Sequence, residues 1–163
     1  MKVVKSDRKN RGMDLDGIVD LLNRVPVGRV GTISPDGRPY VVPVNFAYND
    51  GRIYFHCARK GKRVDNIQAN PLVCFETDEL LKLYVSAEKP CSSDSFYRSA
   101  IAQGRASIVT DKEKMLHALR LLMDRYTGGK KLGDIPDDVL EKTAIVEIVV
   151  DEISGKEYLP PEK

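Results

Sequence analysis

The sequence predicts a mainly β fold with flanking helices, an antiparallel barrel or sheet with helices at its ends. Three observations carry this. Runs rich in Val, Ile and aromatic residues recur at short intervals, separated by tight-turn signals such as Ser34-Pro35-Asp36-Gly37 and Asn49-Asp50-Gly51. Long helical patterns do not alternate regularly with these runs, as they do in a doubly wound parallel sheet. The 163 residues contain no internal repeat and no dividing linker, which suits one domain with a real core.

Residues 1–13 are polar and patternless and read as an N-terminal arm ahead of a single domain over 14–163. Asp14 is placed to cap a helix in which Leu15, Ile18, Val19 and Leu22 share a face, ended by Pro26 and Gly28. Arg29 to Ser34 reads as a strand and Pro39 to Tyr48 as a second. The hairpin signal at 49–51 leads into a third, Arg52 to Cys57. Lys60 to Asn70 follows as a short helix with Val64 and Ile67 inward, stopped by Pro71. Leu72 to Thr77 is a strand, and Leu80 to Ala87 another or its continuation, before a loop over 88–94. Tyr97 to Val109 reads as a long strand interrupted at Gly104, where a bulge or a close backbone approach is expected. Thr110-Asp111-Lys112-Glu113 matches a capping box for a helix with Leu116, Leu119, Met123 and Tyr126 on one stripe, ended by Gly128 and Gly129. A helical turn after Pro136 precedes a last strand, Thr143 to Ile153, with Val146, Ile148 and Val150 on one face.

Composition narrows the function. Apolar residues are 42% and charged residues 31%, ordinary for a soluble globular protein, and 26 basic against 24 acidic residues leave a formal charge of +2. That balance gives no reason to expect nucleic-acid or membrane partners. No apolar run approaches the ~20 residues of a membrane span. The basic start lacks the apolar stretch of a signal peptide, so a cytoplasmic location is the default expectation. Cys57, Cys74 and Cys91 form no CxxC pair, and their odd number argues against a disulfide framework. The apolar neighbours of Cys74 suggest a buried thiol. His56 and His117 are the only histidines and have no metal-ligand spacing, so no metal site is expected.

The segment Phe55 to Ile67 is where chemistry concentrates. Arg59, Lys60, Lys62 and Arg63 fall within five positions, at the junction of a strand and a helix, with Gly61 among them. A helix N-terminus offers unpaired N–H groups and a partial positive charge. With the cations it makes an anion site suited to a phosphate monoester. A solvated basic turn is the alternative, and a helical turn points one or two of the four elsewhere. There is no GxxxxGK[ST] loop, so nucleotide hydrolysis by that route has no support. His56 reads either as a hydrogen-bonded residue on the less buried face of its strand or as a proton donor beside the anion site.

Three blocks carry a family resemblance. Val30 to Phe46 (VGTISPDGRPYVVPVNF) resembles the opening of the pyridoxamine phosphate oxidase-like FMN-binding split-barrel superfamily. Ile53 to His56 with Gly61 to Ile67 and Asn70-Pro71 is similar to its next block, and Tyr97 to Ala106 to a third. The histidine after Tyr54-Phe55 suggests the nitroimidazole reductase (Nim-like) branch. The resemblance implies an antiparallel split β-barrel that binds FMN, and a homodimer with two flavin sites at the subunit interface. It implies that the main chain of Val44, Asn45 and Phe46 lies against the flavin ring. It places the phosphate at His56, Ala58, Lys60, Gly61, Lys62 and Arg63, with Asn66 assisting, and Ser99 and Gln103 near the flavin across the interface. His56 is then the candidate catalytic residue, on the substrate side. The expected activity is oxidoreduction of a small acceptor such as a nitroaromatic. The alternatives are a non-catalytic flavin-binding module or carrier, or the same barrel holding a deazaflavin or haem. The C-terminal substrate-binding signature of true pyridoxamine phosphate oxidases is not matched, so vitamin B6 oxidation is not expected.

Overall fold

The computed structural model describes residues 1–4, 11–128, 130 and 133–161, with the backbone alone at 137 and 138. Its elements, in chain order, are β1 (Lys2–Val3), α1 (Leu15–Arg24), β2 (Val27–Ile33), β3 (Pro39–Asn45), β4 (Ala47–Asn49), β5 (Arg52–Ala58), α2 (Lys62–Ala69), β6 (Leu72–Tyr84), β7 (Asp94–Ile108), α3 (Lys112–Tyr126), α4 (Asp137–Lys142) and β8 (Thr143–Tyr158).

The strands form one sheet in the order β3-β2-β6-β7-β8-β5-β4, antiparallel throughout that path. Its two end strands, β3 and β4, are separated in the chain by Phe46 alone. The sheet therefore curls until its ends are one bent strand, which closes a barrel. Among the described residues β3 pairs only with β2, and β5 pairs with β4 and β8, so no ladder joins β3 to β5. That gap is the split in the barrel.

Local chemistry accounts for most elements. Asp14 caps α1 by accepting from the Gly17 N–H at 2.9 Å. Asp50 and Gly51 both take positive φ, 44° and 74°, as a two-residue hairpin turn requires. Gly104 sits where β7 shifts register against β8, and a Cβ there would lie 2.2 Å from the Val149 carbonyl oxygen. The expected close approach is thus present, and a larger residue would force the two strands apart.

Inward residues fill the barrel. Val30, Phe46, Ile53, Phe55, Phe75, Val146, Ile148 and Ile153 are buried, and Ile18, Leu21 and Leu22 of α1 join the same cluster. Phe46 and Phe75 meet edge to face with ring centres 4.7 Å apart. Small inward side chains on β7, Ala100, Ala102 and Ala106, leave room for these rings and for α1. A second cluster lies outside the barrel, where α3 and α4 cover β5 and β8 through Tyr54, Met115, Ala118, Leu119, Leu140 and Ile145.

Several expectations are corrected. The buried face of α1 is Ile18, Leu21 and Leu22, while Leu15 is exposed. The buried stripe of α3 runs through Met115, Ala118, Leu119 and Leu122, one residue behind the expected one, with Ala118 fully buried and Tyr126 38% exposed. Asp111, not Thr110, caps α3, accepting from the Lys114 N–H at 2.9 Å. The helix ends as expected at Gly128, with φ 62°, and Gly129 lies outside the described residues. Cys74 is exposed: Val73 and Phe75 take the two inward positions, and strand alternation turns the thiol between them outward.

The arm over 1–13 is not patternless where it is described. β1 pairs in parallel with Glu152 and Ile153 of β8, and Gly12 bridges Lys156. These segments flank the C-terminal half of β8, which runs beyond its pairing with β5, and so cover an otherwise open strand edge. Residues 5–10, including the rest of the basic start, lie outside the described residues.

Candidate functional site

β5 ends at Ala58 and α2 begins at Lys62, so the basic cluster is a turn from strand into helix, as its sequence suggests. Gly61 is the N-cap of α2 with φ 131°, a conformation L side chains rarely adopt. Among the described residues, chain neighbours and the helix's own backbone aside, no atom lies within 4 Å of where its Cβ would be, which leaves the helix N-terminus open. A cleft of about 380 Å³ sits there, with Tyr40, Val42 and Pro43 of β3 on one side. Cys57 and Ala58 of β5 and Lys60, Gly61, Lys62 and Arg63 form the other. It occupies the split between β3 and β5.

The four cations are not equivalent. Arg59 turns away and donates from Nη1 to the Glu141 carbonyl in α4 at 2.5 Å. Lys62 lies with Nζ 4.8 Å from the centre of the Tyr40 ring, and the Arg63 guanidinium 5.1 Å from that of Phe55. Burial pushes the Cys57 thiol pKa up, against the opposing pull of Arg63. Three cations and an open helix N-terminus against a wall of Tyr, Val and Pro suit an anionic group joined to a flat apolar one.

Asn66 of α2 is buried. Its Nδ2 donates to Thr32 Oγ1 at 2.9 Å and lies 3.4 Å from Ser34 Oγ, while Thr32 Oγ1 donates to the Tyr40 carbonyl at 3.2 Å. This buried relay ties α2 to β2 and β3, so the cationic turn is held at a set distance from the wall opposite. Sequence reasoning missed Thr32 and Ser34. The available signal was a polar residue at an inward strand position beside Val30.

Val44, Asn45 and Phe46 continue β3 beyond Val42 and Pro43. The Val44 and Phe46 side chains are buried in the barrel, and the exposed Asn45 donates from Nδ2 to the Pro26 carbonyl at 3.3 Å. What this segment offers a ligand is main chain and the Asn45 amide. His56 is exposed on the face of β5 opposite Cys57 and does not line the cleft. Ser99 and Gln103 of β7 do not line it either. The Ser99 hydroxyl approaches the Lys156 carbonyl at 3.5 Å. Gln103 borders an apolar groove of about 440 Å³ on the outer face of β2, β3, β6 and β7, with Gly31, Ile33, Val41, Leu72 and Cys74.

Among the described residues no group of three or more His, Cys, Asp or Glu side chains is placed to hold a metal ion, and no helix is long and apolar enough to cross a membrane.

Comparison with known proteins matches residues 14–157 to the family model described as pyridoxamine 5'-phosphate oxidase. No curated protein matches the chain in sequence. Among solved structures, it resembles a protein from Bacteroides thetaiotaomicron VPI-5482 named as a candidate 5-nitroimidazole antibiotic resistance protein. The identity is 28%, over 90% of this chain and 86% of the other, with a TM-score of 0.80. An FAD and haem binding protein from Mycobacterium smegmatis aligns with a TM-score of 0.82 at 20% identity, over 95% of this chain and 77% of the other. An F420 reductase aligns with a TM-score of 0.56 at 25% identity, over 82% and 93%.

Proposed function

The chain belongs to the pyridoxamine 5'-phosphate oxidase family, and on that premise we propose that it is an FMN-dependent oxidoreductase, working as a homodimer and passing electrons to a small acceptor of the nitroaromatic class. The observation that carries this reading is the cleft in the barrel split, where Lys60, Lys62 and Arg63 meet the open N-terminus of α2 across from Tyr40, Val42 and Pro43. The donor set fits the cofactor: a phosphate monoester is a dianion with several strong acceptors, and cations with backbone N–H groups are its natural partners. Lys60, Lys62 and Arg63 would hold the phosphate, and the main chain of Val44 to Phe46 would lie along the ring. FMN, when bound, supplies one- and two-electron transfer, and the protein's task is to orient it.

His56 is assigned proton donation to the acceptor. It is exposed on the opposite side of β5 from Cys57. Ser99 and Gln103 enter through the second copy. The outer face they share leaves Val41 61% and Leu72 48% exposed, an apolar surface that a second chain would cover. The 28% identical relative named for 5-nitroimidazole resistance supports the acceptor class.

Purified protein tests the cofactor directly. A flavin absorption spectrum is expected, with FMN released on denaturation and identified by mass; a colourless protein that takes up no added FMN overturns the reading. Released FAD, haem or F420, groups that proteins of the same fold are named for, replaces FMN in it. Lys62→Glu is expected to weaken FMN binding by about tenfold or more, since a charged hydrogen bond is worth roughly 1.5–3 kcal/mol, and to leave riboflavin binding nearly unchanged. Equal losses for the two ligands would remove Lys62 from the phosphate site.

A further inference from the structure

Tyr126 ends α3 and reaches a part of the chain far from its own helix. The residue is 38% exposed, yet its hydroxyl lies among three main-chain groups. It accepts from the Phe46 N–H at 2.8 Å and faces the carbonyls of Pro26 at 2.6 Å and Phe46 at 2.9 Å. A phenol has one proton, so it donates to one of these carbonyls at a time while accepting from the N–H. The Pro26 carbonyl is the one that also receives the Asn45 amide. Next to it, Arg125 donates to the Val25 carbonyl and lays its guanidinium 4.3 Å from the centre of the Phe46 ring.

Phe46 is the single residue between β3 and β4, where the chain leaves one end of the sheet and enters the other. A residue between two strands has a main-chain N–H and C=O that need partners outside the ladder. Tyr126 meets both. The body of α3 is already anchored by Met115, Ala118, Leu119 and Leu122. The bonds at its end therefore do more to place the bend at Phe46 than to hold the helix.

We infer that Tyr126, supported by Arg125, is a positioning residue for the cofactor ring, because its hydroxyl sets the main chain of the β3–β4 bend against which the ring lies. This rests on the proposed function, in which Val44 to Phe46 line the flavin. Tyr126 touches no phosphate-side residue of the cleft, so its effect falls on the ring alone. The pattern that follows is the reverse of the one for Lys62: equal effects on FMN and riboflavin, with a change in the flavin's own spectrum.

The experiment compares Tyr126→Phe, Lys62→Glu and Leu122→Ala with the unaltered protein, measuring FMN and riboflavin affinity, the flavin absorption bands and thermal unfolding. Tyr126→Phe is expected to weaken both ligands by the same factor, about tenfold, and to shift the absorption bands, since roughly one net hydrogen bond is lost and a main-chain group is left unpaired. Lys62→Glu is expected to weaken FMN selectively. Leu122→Ala lowers the unfolding temperature and leaves affinities and spectrum in place. Tyr126→Phe with unaltered affinities and spectrum overturns the inference, as does an equal spectral shift in Leu122→Ala, which would trace the effect to stability. If Tyr126→Phe does not fold, Arg125→Gln carries the same comparison with the same outcomes, because Arg125 reaches the bend through Val25 and Phe46. Failure of the unaltered protein to take up any flavin overturns the proposed function together with this inference; normal uptake with an unmoved Tyr126→Phe overturns the inference alone.

Discussion

The barrel wall has two outer faces with different fates. Over β5 and β8, α3 and α4 lay down a second apolar cluster in which Ile145 is fully buried and Leu119 nearly so. On the outward side of β2, β3, β6 and β7 the apolar residues Ile33, Val41, Leu72 and Ile101 stand in the open beside Gly31 and Cys74. Both faces carry apolar side chains at outward strand positions. One is completed within the chain, and the other is left as a surface of the kind that marks an interaction site. The cationic cleft and the β7 residues Ser99 and Gln103 do not meet in a single chain. In the proposed homodimer the open face is where the second copy contributes them.

The largest expected effect breaks this contrast from the open side. Val41→Asp puts a carboxylate at the centre of the exposed groove, and two copies bring two like charges to one interface. Such pairs cost several kcal/mol, about 4 here, or roughly a thousandfold in dimer affinity. Sedimentation is expected to show a monomer that retains the unfolding cooperativity of the parent. A wild-type mass unchanged by the substitution would place the dimer contact elsewhere.

The covered side predicts a stability effect instead. Ile145→Ala should cost about 3 kcal/mol in chemical unfolding, in the usual range for truncating a fully buried branched side chain. The equivalent change at Ile101, which is 44% exposed, should cost well under 1 kcal/mol measured on the monomeric Val41→Asp background. Similar costs at both sites would mean that the two faces are not as different as their packing suggests.

The smallest effect concerns Tyr54, at the rim of the covered face. Burial, then the hydrogen bond to Glu147 at 2.9 Å, push its phenol up from 10.0 to about 12. A raised folded-state pKa means that the folded chain holds the phenol proton more tightly than the unfolded one. The contribution to stability is thus fully present below pH 10 and is lost as pH rises from about 10 toward 12. Tyr54→Phe should flatten the decline in unfolding midpoint across that window. An identical decline in both proteins would show that Tyr54 does not supply it.

The features legible along the chain were local. Turn chemistry at 34–37 and 49–51, the caps and breaks of the helices, and the alternation of the strands depend on neighbours in the chain, and these elements form close to where their residues indicate. The cationic turn at 59–63 was legible for the same reason: charge, glycine and a strand-to-helix junction all lie within a few positions. Even there, only the folded chain could show that Arg59 leaves for Glu141 while Lys60, Lys62 and Arg63 stay in the cleft. Cys74 misled because hydrophobic neighbours in a strand point to the other face. The barrel's closure through Phe46, the relay from Asn66 through Thr32 to Tyr40, and the grip of Tyr126 on a bend 80 residues away are decided by tertiary structure alone. Each joins groups far apart in sequence, and the partner of a buried polar group is fixed by where the strands come to lie, not by the residue beside it.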